Sequence, residues 1–186
     1  MPCADYVAAD TENIYYQGYT QTVEVTNLLV FNLKGELIHV GVNYPGSFHD
    51  TKLEVHSGLY TVKLSDKYTP PRFAVLADSA FVNSQGDLQT KVIRGRKAND
   101  LWDRPQSKVL SRLDLLLQRL IPRVRQSAEW GVRAIKAPLG RLHYPFPADT
   151  HKRRRLLLIC CHIFNLRTRT LRNNQLRSVF WPEHAT

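Results

Sequence analysis

The stretch Phe73-Ala74-Val75-Leu76-Ala77-Asp78-Ser79-Ala80-Phe81 is a short apolar run that stops at a carboxylate. Coming after Pro70-Pro71, its consecutive apolar residues fit a buried central strand. Asp78 then falls at the C-terminal end of that strand, where open α/β sheets usually put their chemistry. On its own, an aspartate there is more simply an N-cap or turn acid. The weight shifts because two other segments, Pro45-Gly46-Ser47-Phe48-His49-Asp50 and Gln126-Ser127-Ala128-Glu129-Trp130-Gly131, also aim carboxylates at one place.

Working outward, the chain has 186 residues, enough for one domain with a core. Its apolar content of 43% excludes a disordered chain. The net charge of +10 favours a polyanionic partner, most simply nucleic acid, over a merely soluble basic protein. Cys3, Cys160 and Cys161 form no framework pattern, which points to a reducing compartment. Cys160-Cys161-His162 has the residue types of a metal tripeptide. Consecutive helical residues diverge by about 100°, however, so small buried residues are the expected role. Met1 to Tyr6 has neither the basic nor the apolar part of a signal peptide. No apolar run approaches the roughly 20 residues needed to cross a bilayer.

Residues 1–20 read as an irregular arm. Val23–Phe31 begins as an alternation and becomes continuously apolar, as in a strand buried on both faces. Asn32 to Gly35 make a turn, and Glu36–Val42 returns as the second strand of an antiparallel hairpin. Pro45-Gly46 ends the sheet, and Ser47 is placed to cap a helix from about Phe48 to Gly58. A loop at 59–72 leads into the central strand. Residues 82–106 form a long polar and basic connection in which Val92-Ile93 adds a short strand. Leucines at 113, 116, 117 and 120 predict a helix over 108–120. Pro122 predicts a fresh start for a second helix running to Ala137, with Glu129 beside its apolar face. A proline-rich loop follows. The last helix runs from about His151 to Leu171, with Leu156 to Ile159, Ile163, Phe164 and Leu166 as its core side, and 173–186 is a tail. The order describes an α/β layer lacking one or two strands at its beginning.

Hard divalent ions such as Mg²⁺ or Mn²⁺ take oxygen ligands, and phosphodiester chemistry with two ions draws carboxylates from several elements. Asp50 at a helix start, Asp78 at a strand end and Glu129 on a later helix suit that work. For Asp50 the plain alternative is an acid that complements the helix dipole. For Glu129 it is a pair of exposed ion pairs to Arg125 and Arg133, one turn to either side. With metal on Glu129, those arginines and Arg123 are left to hold phosphate. The run Lys152, Arg153, Arg154 and Arg155 is either a DNA-contacting or nuclear-import segment or a solvated helix start. Cations oppose the dipole at a helix N-terminus, which hints at an anionic partner.

Tyr16-Gln17-Gly18-Tyr19, Pro45-Gly46-Ser47-Phe48-His49-Asp50, Asp78-Ser79-Ala80-Phe81, Glu129-Trp130-Gly131 and Cys161-His162-Ile163-Phe164-Asn165-Leu166 occur in this order. In this the chain resembles the DDE endonuclease domain of Harbinger-type transposases over nearly its whole length, with the Pro-Gly-Ser-x-His-Asp element as the most specific piece. The resemblance implies a ribonuclease-H-like mixed sheet flanked by helices, divalent metal, and DNA cleavage with strand transfer at transposon ends. It implies metal binding and catalysis by Asp50, Asp78 and Glu129, a nuclear location, and a separate DNA-binding partner protein. The domain spans 1–172. The family's first aspartate, in an Asp-Gly element on the first strand, has no counterpart here: Asp5 and Asp10 lack the glycine and the preceding apolar strand. The expectation is therefore a domain truncated before its first strand. The competing readings are a catalytically inactive, domesticated nuclear protein that binds DNA or a protein partner, and a basic binding module of unrelated fold.

Overall fold

Leu28 and Val30 pack on one face of a strand whose Val25, Leu29 and Phe31 pack on the other, so both faces of one strand are covered. The structure is a computed structural model that describes residues 13–59, 64–65, 67–77, 91–94, 112–172 and 174–181. That strand, β3 (Val25–Phe31), pairs antiparallel with β4 (Leu37–Pro45), from Val25 opposite Pro45 to Phe31 opposite Leu37, with register shifts after Thr26 and Val30. Before it, β1 (Tyr16–Gln17) pairs antiparallel with β2 (Thr22–Val23), so the expected irregular arm is ordered structure over 16–23. The hairpin strand β4 continues to Pro45, beyond the expected Val42.

Helix α1 spans Asp50–His56, with His49 as N-cap and no side-chain capping bond. Ser47 is not the cap: its hydroxyl donates to Ile14 O at 2.7 Å, tying the turn to the start of the described chain. The central strand is corrected too. β5 is only Val75–Ala77, with Leu76 exposed, and pairs parallel with β6 (Val92–Arg94) in a two-stranded sheet. Asp78 and the rest of the 78–90 segment lie outside the described residues. The expected strand at Val92-Ile93 is present.

The two helices expected around Pro122 are one, α2 (Arg112–Lys136), with Pro122 inside it. A proline deletes one backbone donor and crowds the preceding turn; here the helix continues through it. Ile121 and Ile135 are both buried. A 3₁₀ turn at Gly140–His143 leads to α3 (Thr150–Leu171). Asp149 caps α3, accepting from Lys152 N at 2.7 Å, and that backbone hydrogen bond holds its carboxyl below the usual carboxylate range. The expected tail folds back over 174–181. α4 (Gln175–Phe180) buries Leu176, is capped by Asn174, and sits against the hairpin turn, where Asn174 Nδ2 donates to Gly35 O at 3.3 Å and Lys34 lies over the Trp181 ring at 5.0 Å.

Two apolar clusters result. On one face of the hairpin, Val25, Leu37 and Val42 pack with Ile135, Leu142, Phe146, Leu157, Cys160, Cys161 and Phe164. On the other, Leu28 and Val30 pack with Leu59, Leu64 and Val92, and Val75 and Ala77 join them. Phe31 is the joint between helices. Its ring meets Phe164 edge-on at 6.1 Å, and a Cβ on Gly131 would come within 2.7 Å of it. Of the residues expected on the core side of α3, Leu157 and Phe164 are buried and Leu156 and Leu158 half-buried, whereas Ile159, Ile163 and Leu166 are exposed, which corrects that expectation for these three.

Two polar anchors set α3 on the hairpin. Arg153 is fully buried; its guanidinium donates to Asn43 Oδ1 and to Pro147 O and Ala148 O, both at 3.1 Å, and lies over the Tyr15 ring at 4.9 Å. Asn43 adopts φ 70°, a left-handed conformation that asparagine tolerates better than most residues. At the far end of α3, Asn165 accepts from Leu37 N at 2.8 Å and donates to Leu37 O at 2.9 Å, imitating a neighbouring strand.

Replacing Arg153 with methionine removes the donors and leaves half-buried acceptors unpaired, and is expected to lower stability by about 1–3 kcal/mol. Arg153→Lys is expected to recover little, because an ammonium lacks the planar fork. Asn165→Leu strands both polar atoms of Leu37 and should cost about 1–3 kcal/mol. Urea denaturation of the three variants checks these values; a loss below about 1 kcal/mol in Arg153→Met refutes the anchoring role.

Candidate metal and nucleic-acid site

The local packing explains why each motif has its shape. Gly46 lies where two backbone segments cross: a Cβ there would come within 2.5 Å of Tyr15 O and 2.6 Å of Glu24 O. This close approach, with Phe48 N donating to Pro45 O at 3.0 Å, turns the chain out of β4 and into α1. Leu53 and Glu54 are the buried side of α1, and Asp50, half-buried, opens it. Around that start, Phe48 stacks on Tyr44 at 6.3 Å and meets His56 at 5.3 Å, while Lys52 lies over its ring at 5.6 Å. His49 is exposed.

Glu129 and Gly131 occupy opposite sides of α2. At about 100° per residue they are separated by about 160°. Gly131 and Ile135 are buried against the hairpin, so Glu129 lies on the outward side and is exposed. This corrects the expected position beside the apolar face. Arg123, Arg125 and Arg133 share that outward half, and all are exposed. Arg119, which the motif search passed over, extends the same arc; its spacing four residues before Arg123 was the signal. Among the described residues, no salt bridge joins Glu129 to Arg125 or Arg133.

In the basic run of α3, Lys152, Arg154 and Arg155 are exposed, whereas Arg153 is buried and held by the hairpin and the preceding loop. As placed, Arg153 is a structural cation, which corrects its expected role in phosphate contact. Cys160 and Cys161 are free and buried, as expected for small core residues. Burial pushes the Cys161 thiol up to about 11 and raises Cys160 as well. Thiols kept protonated in this way are poor metal ligands.

The elements that carry the acids are neighbours. Helix α1 touches β3, and α2 touches both β3 and β5, the strand that Asp78 follows. Among the described residues, no three of His, Cys, Asp and Glu gather into a metal-binding group; Asp78 is outside that set. The acids are oxygen donors, the type that Mg²⁺ and Mn²⁺ take. No helix among the described residues is long and apolar enough to cross a membrane.

Comparison with known proteins adds the following. A family model described as DDE superfamily endonuclease matches residues 3–165. Neither the curated proteins nor the solved structures give a match. The family acts on DNA and typically uses divalent metal ions. The matched span runs through all three acid-bearing segments and the greater part of α3, and on that extent the chain belongs to the DDE superfamily endonuclease family.

Proposed function

We propose that this chain is a transposase-derived DNA endonuclease domain of the Harbinger type, acting on phosphodiesters with Mg²⁺ or Mn²⁺. The observation that carries the reading is the coincidence of two independent facts. The family match covers Asp50, Asp78 and Glu129, and the segments bearing them adjoin one another through β3 and α2. Asp50, Asp78 and Glu129 would hold the ions. When bound, those ions supply charge stabilisation to the attacking and leaving oxygens of the phosphodiester. The chain's own cations hold the DNA: Arg123, Arg125 and Arg133 on the outward half of α2, with Lys152 and Arg154 at the start of α3. A DNA substrate of this kind places the protein in the nucleus, where a separate DNA-binding protein supplies sequence choice at transposon ends.

The proposed architecture is ribonuclease-H-like, over a domain at 1–172. Its support is the second apolar cluster, in which Leu28 and Val30 of the hairpin pack with Val75, Ala77 and Val92 of the parallel pair. That packing brings the hairpin and the parallel pair together, as two parts of one α/β domain require. One observation favours a second reading: no Asp-Gly dipeptide occurs in the 186 residues, so the family's first aspartate has no counterpart among them. The second reading is a DNA-binding or protein-binding nuclear protein without cleavage, since displacement of a reacting group by even ~1 Å can cost about 100-fold in rate.

Plasmid nicking in Mg²⁺ and Mn²⁺ separates the two. Nuclease function predicts metal-dependent nicking that Asp78→Asn abolishes, together with a metal-induced rise in melting temperature. Saturation at 100 times Kd corresponds to about 2.7 kcal/mol, and Asp78→Asn, Asp50→Asn and Glu129→Gln should each diminish it. A chain that binds DNA but neither nicks it nor responds to metal supports the second reading and removes the acids from a ligand role.

DNA binding is expected to be mainly electrostatic. The logarithm of affinity should fall linearly with that of salt concentration, and removing one phosphate contact, as in Arg133→Gln, should reduce the slope by about 0.9. Anisotropy titrations of two unrelated duplexes across a salt series check this. A flat salt response, or a strong preference for one arbitrary duplex, refutes it.

A further inference from the structure

Helix α3 carries two apolar stripes whose centres are about 140° apart. Leu157, Cys160, Cys161 and Phe164 face the hairpin and are buried. Further round the helix, Ile159 is 54%, Ile163 46% and Leu166 67% exposed, and Leu156, which is half-buried and packs against the hairpin cluster, joins the two stripes. Residues 156, 159, 163 and 166 alternate spacings of three and four, and at about 100° per residue they fall within an arc of about 80°. This is the spacing of a coiled-coil seam, in which each side chain enters a hole formed by four residues of a facing helix.

The charges beside the seam are all of one sign. Between Thr150 and Leu171 there is no Asp or Glu, while Lys152, Arg155 and Arg167 border or continue the seam and are exposed. Among the described residues none of these three makes a salt bridge; Arg169, further round the helix, pairs with Glu36 at 3.2 Å. We propose that the outward face of α3 is a docking surface for an acidic amphipathic helix of another protein, with its apolar seam on Leu156, Ile159, Ile163 and Leu166 and its carboxylates on Arg155 and Arg167.

Two other occupants fit less well. A second copy would bring the same cations face to face, and like charges at the flanks of a helix pair disfavour it. A lipid surface favours a broad apolar face that sinks into the headgroup layer. Here the arc is narrow, and the helix is pinned at one end through Arg153 and Asn43 and at the other through Asn165 and Leu37. The inference concerns the side of α3 that faces away from the hairpin. It does not depend on DNA cleavage.

The test uses the whole chain and a synthetic helical peptide with leucine at a and d and glutamate at e and g. Its own like charges keep that peptide from pairing with itself at neutral pH. A lysine version and a scrambled glutamate version serve as controls. The expected result is saturable binding of the glutamate peptide, at least about tenfold tighter than either control, and weakened about tenfold or more by Ile163→Glu and by Leu166→Ser. Both positions are exposed, so the far-ultraviolet spectrum and melting temperature should stay near native values; if Ile163→Glu melts early, Leu166→Ser decides. The double change Arg155→Glu with Arg167→Glu should reverse the preference toward the lysine peptide. The proposal is overturned if the glutamate peptide does not bind, if all peptides bind alike, or if neither seam variant weakens binding. It is also overturned if the seam instead mediates binding to phosphatidylcholine–phosphatidylserine vesicles, or a dimer that Leu166→Ser dissociates.

Discussion

A two-stranded hairpin is marginal in water unless other elements cover it. The hairpin β3–β4 is covered on both faces, and most of the described structure can be understood as what covers it. Helices α2 and α3 and the loop carrying Phe146 close one side. Leu59, Leu64 and the parallel pair β5–β6 close the other. Because strand residues alternate between faces, a slip of one position would turn both apolar sets the wrong way. Asn165 on Leu37 and Arg153 on Asn43 hold α3 to opposite ends of β4. The register and the helix placement therefore reinforce each other.

Several motif residues have a packing reason as well as, or in place of, a chemical one. Gly46 is small because Tyr15 O and Glu24 O lie against it. Gly131 is small because Phe31 fills the space beside it, in edge contact with Phe164. Asn165 is an amide because Leu37 presents both a donor and an acceptor. A motif built around an active site thus includes the residues that keep its elements in position, and these can persist whether or not the chemistry does.

The charge distribution follows from the same covering. Each helix gives its apolar side to the hairpin, which leaves its cations outside. On α2 this produces an arc of arginines with Glu129 among them; on α3 it leaves Lys152, Arg154 and Arg155 exposed. In the function proposed above, phosphate is the counterpart of that arc. Arg153 is the exception within the run, drawn inward because the carbonyls of Pro147 and Ala148 need donors.

The hairpin, the strand at Val92, the buried cysteines and the start of α3 could be read from residue order, because each depends on local period, turn chemistry or size. The family could be read as well, since its motifs are short strings. Other features depended on contacts that no local pattern contains. Pro122 signals a helix start by its own stereochemistry, yet α2 passes through it, with Ile121 and Ile135 both buried. Ile159, Ile163 and Leu166 are apolar and helical, as core residues are; only the placement of the hairpin decides which of two apolar sides is inside. Arg153 could not be told from Arg154, since neighbouring arginines differ only by about 100° of helix rotation. Residue order therefore determined the hairpin, the strand at Val92, the start of α3 and the family. The tertiary structure alone decided which face of each helix met the hairpin, and with it which charges were left to meet a partner.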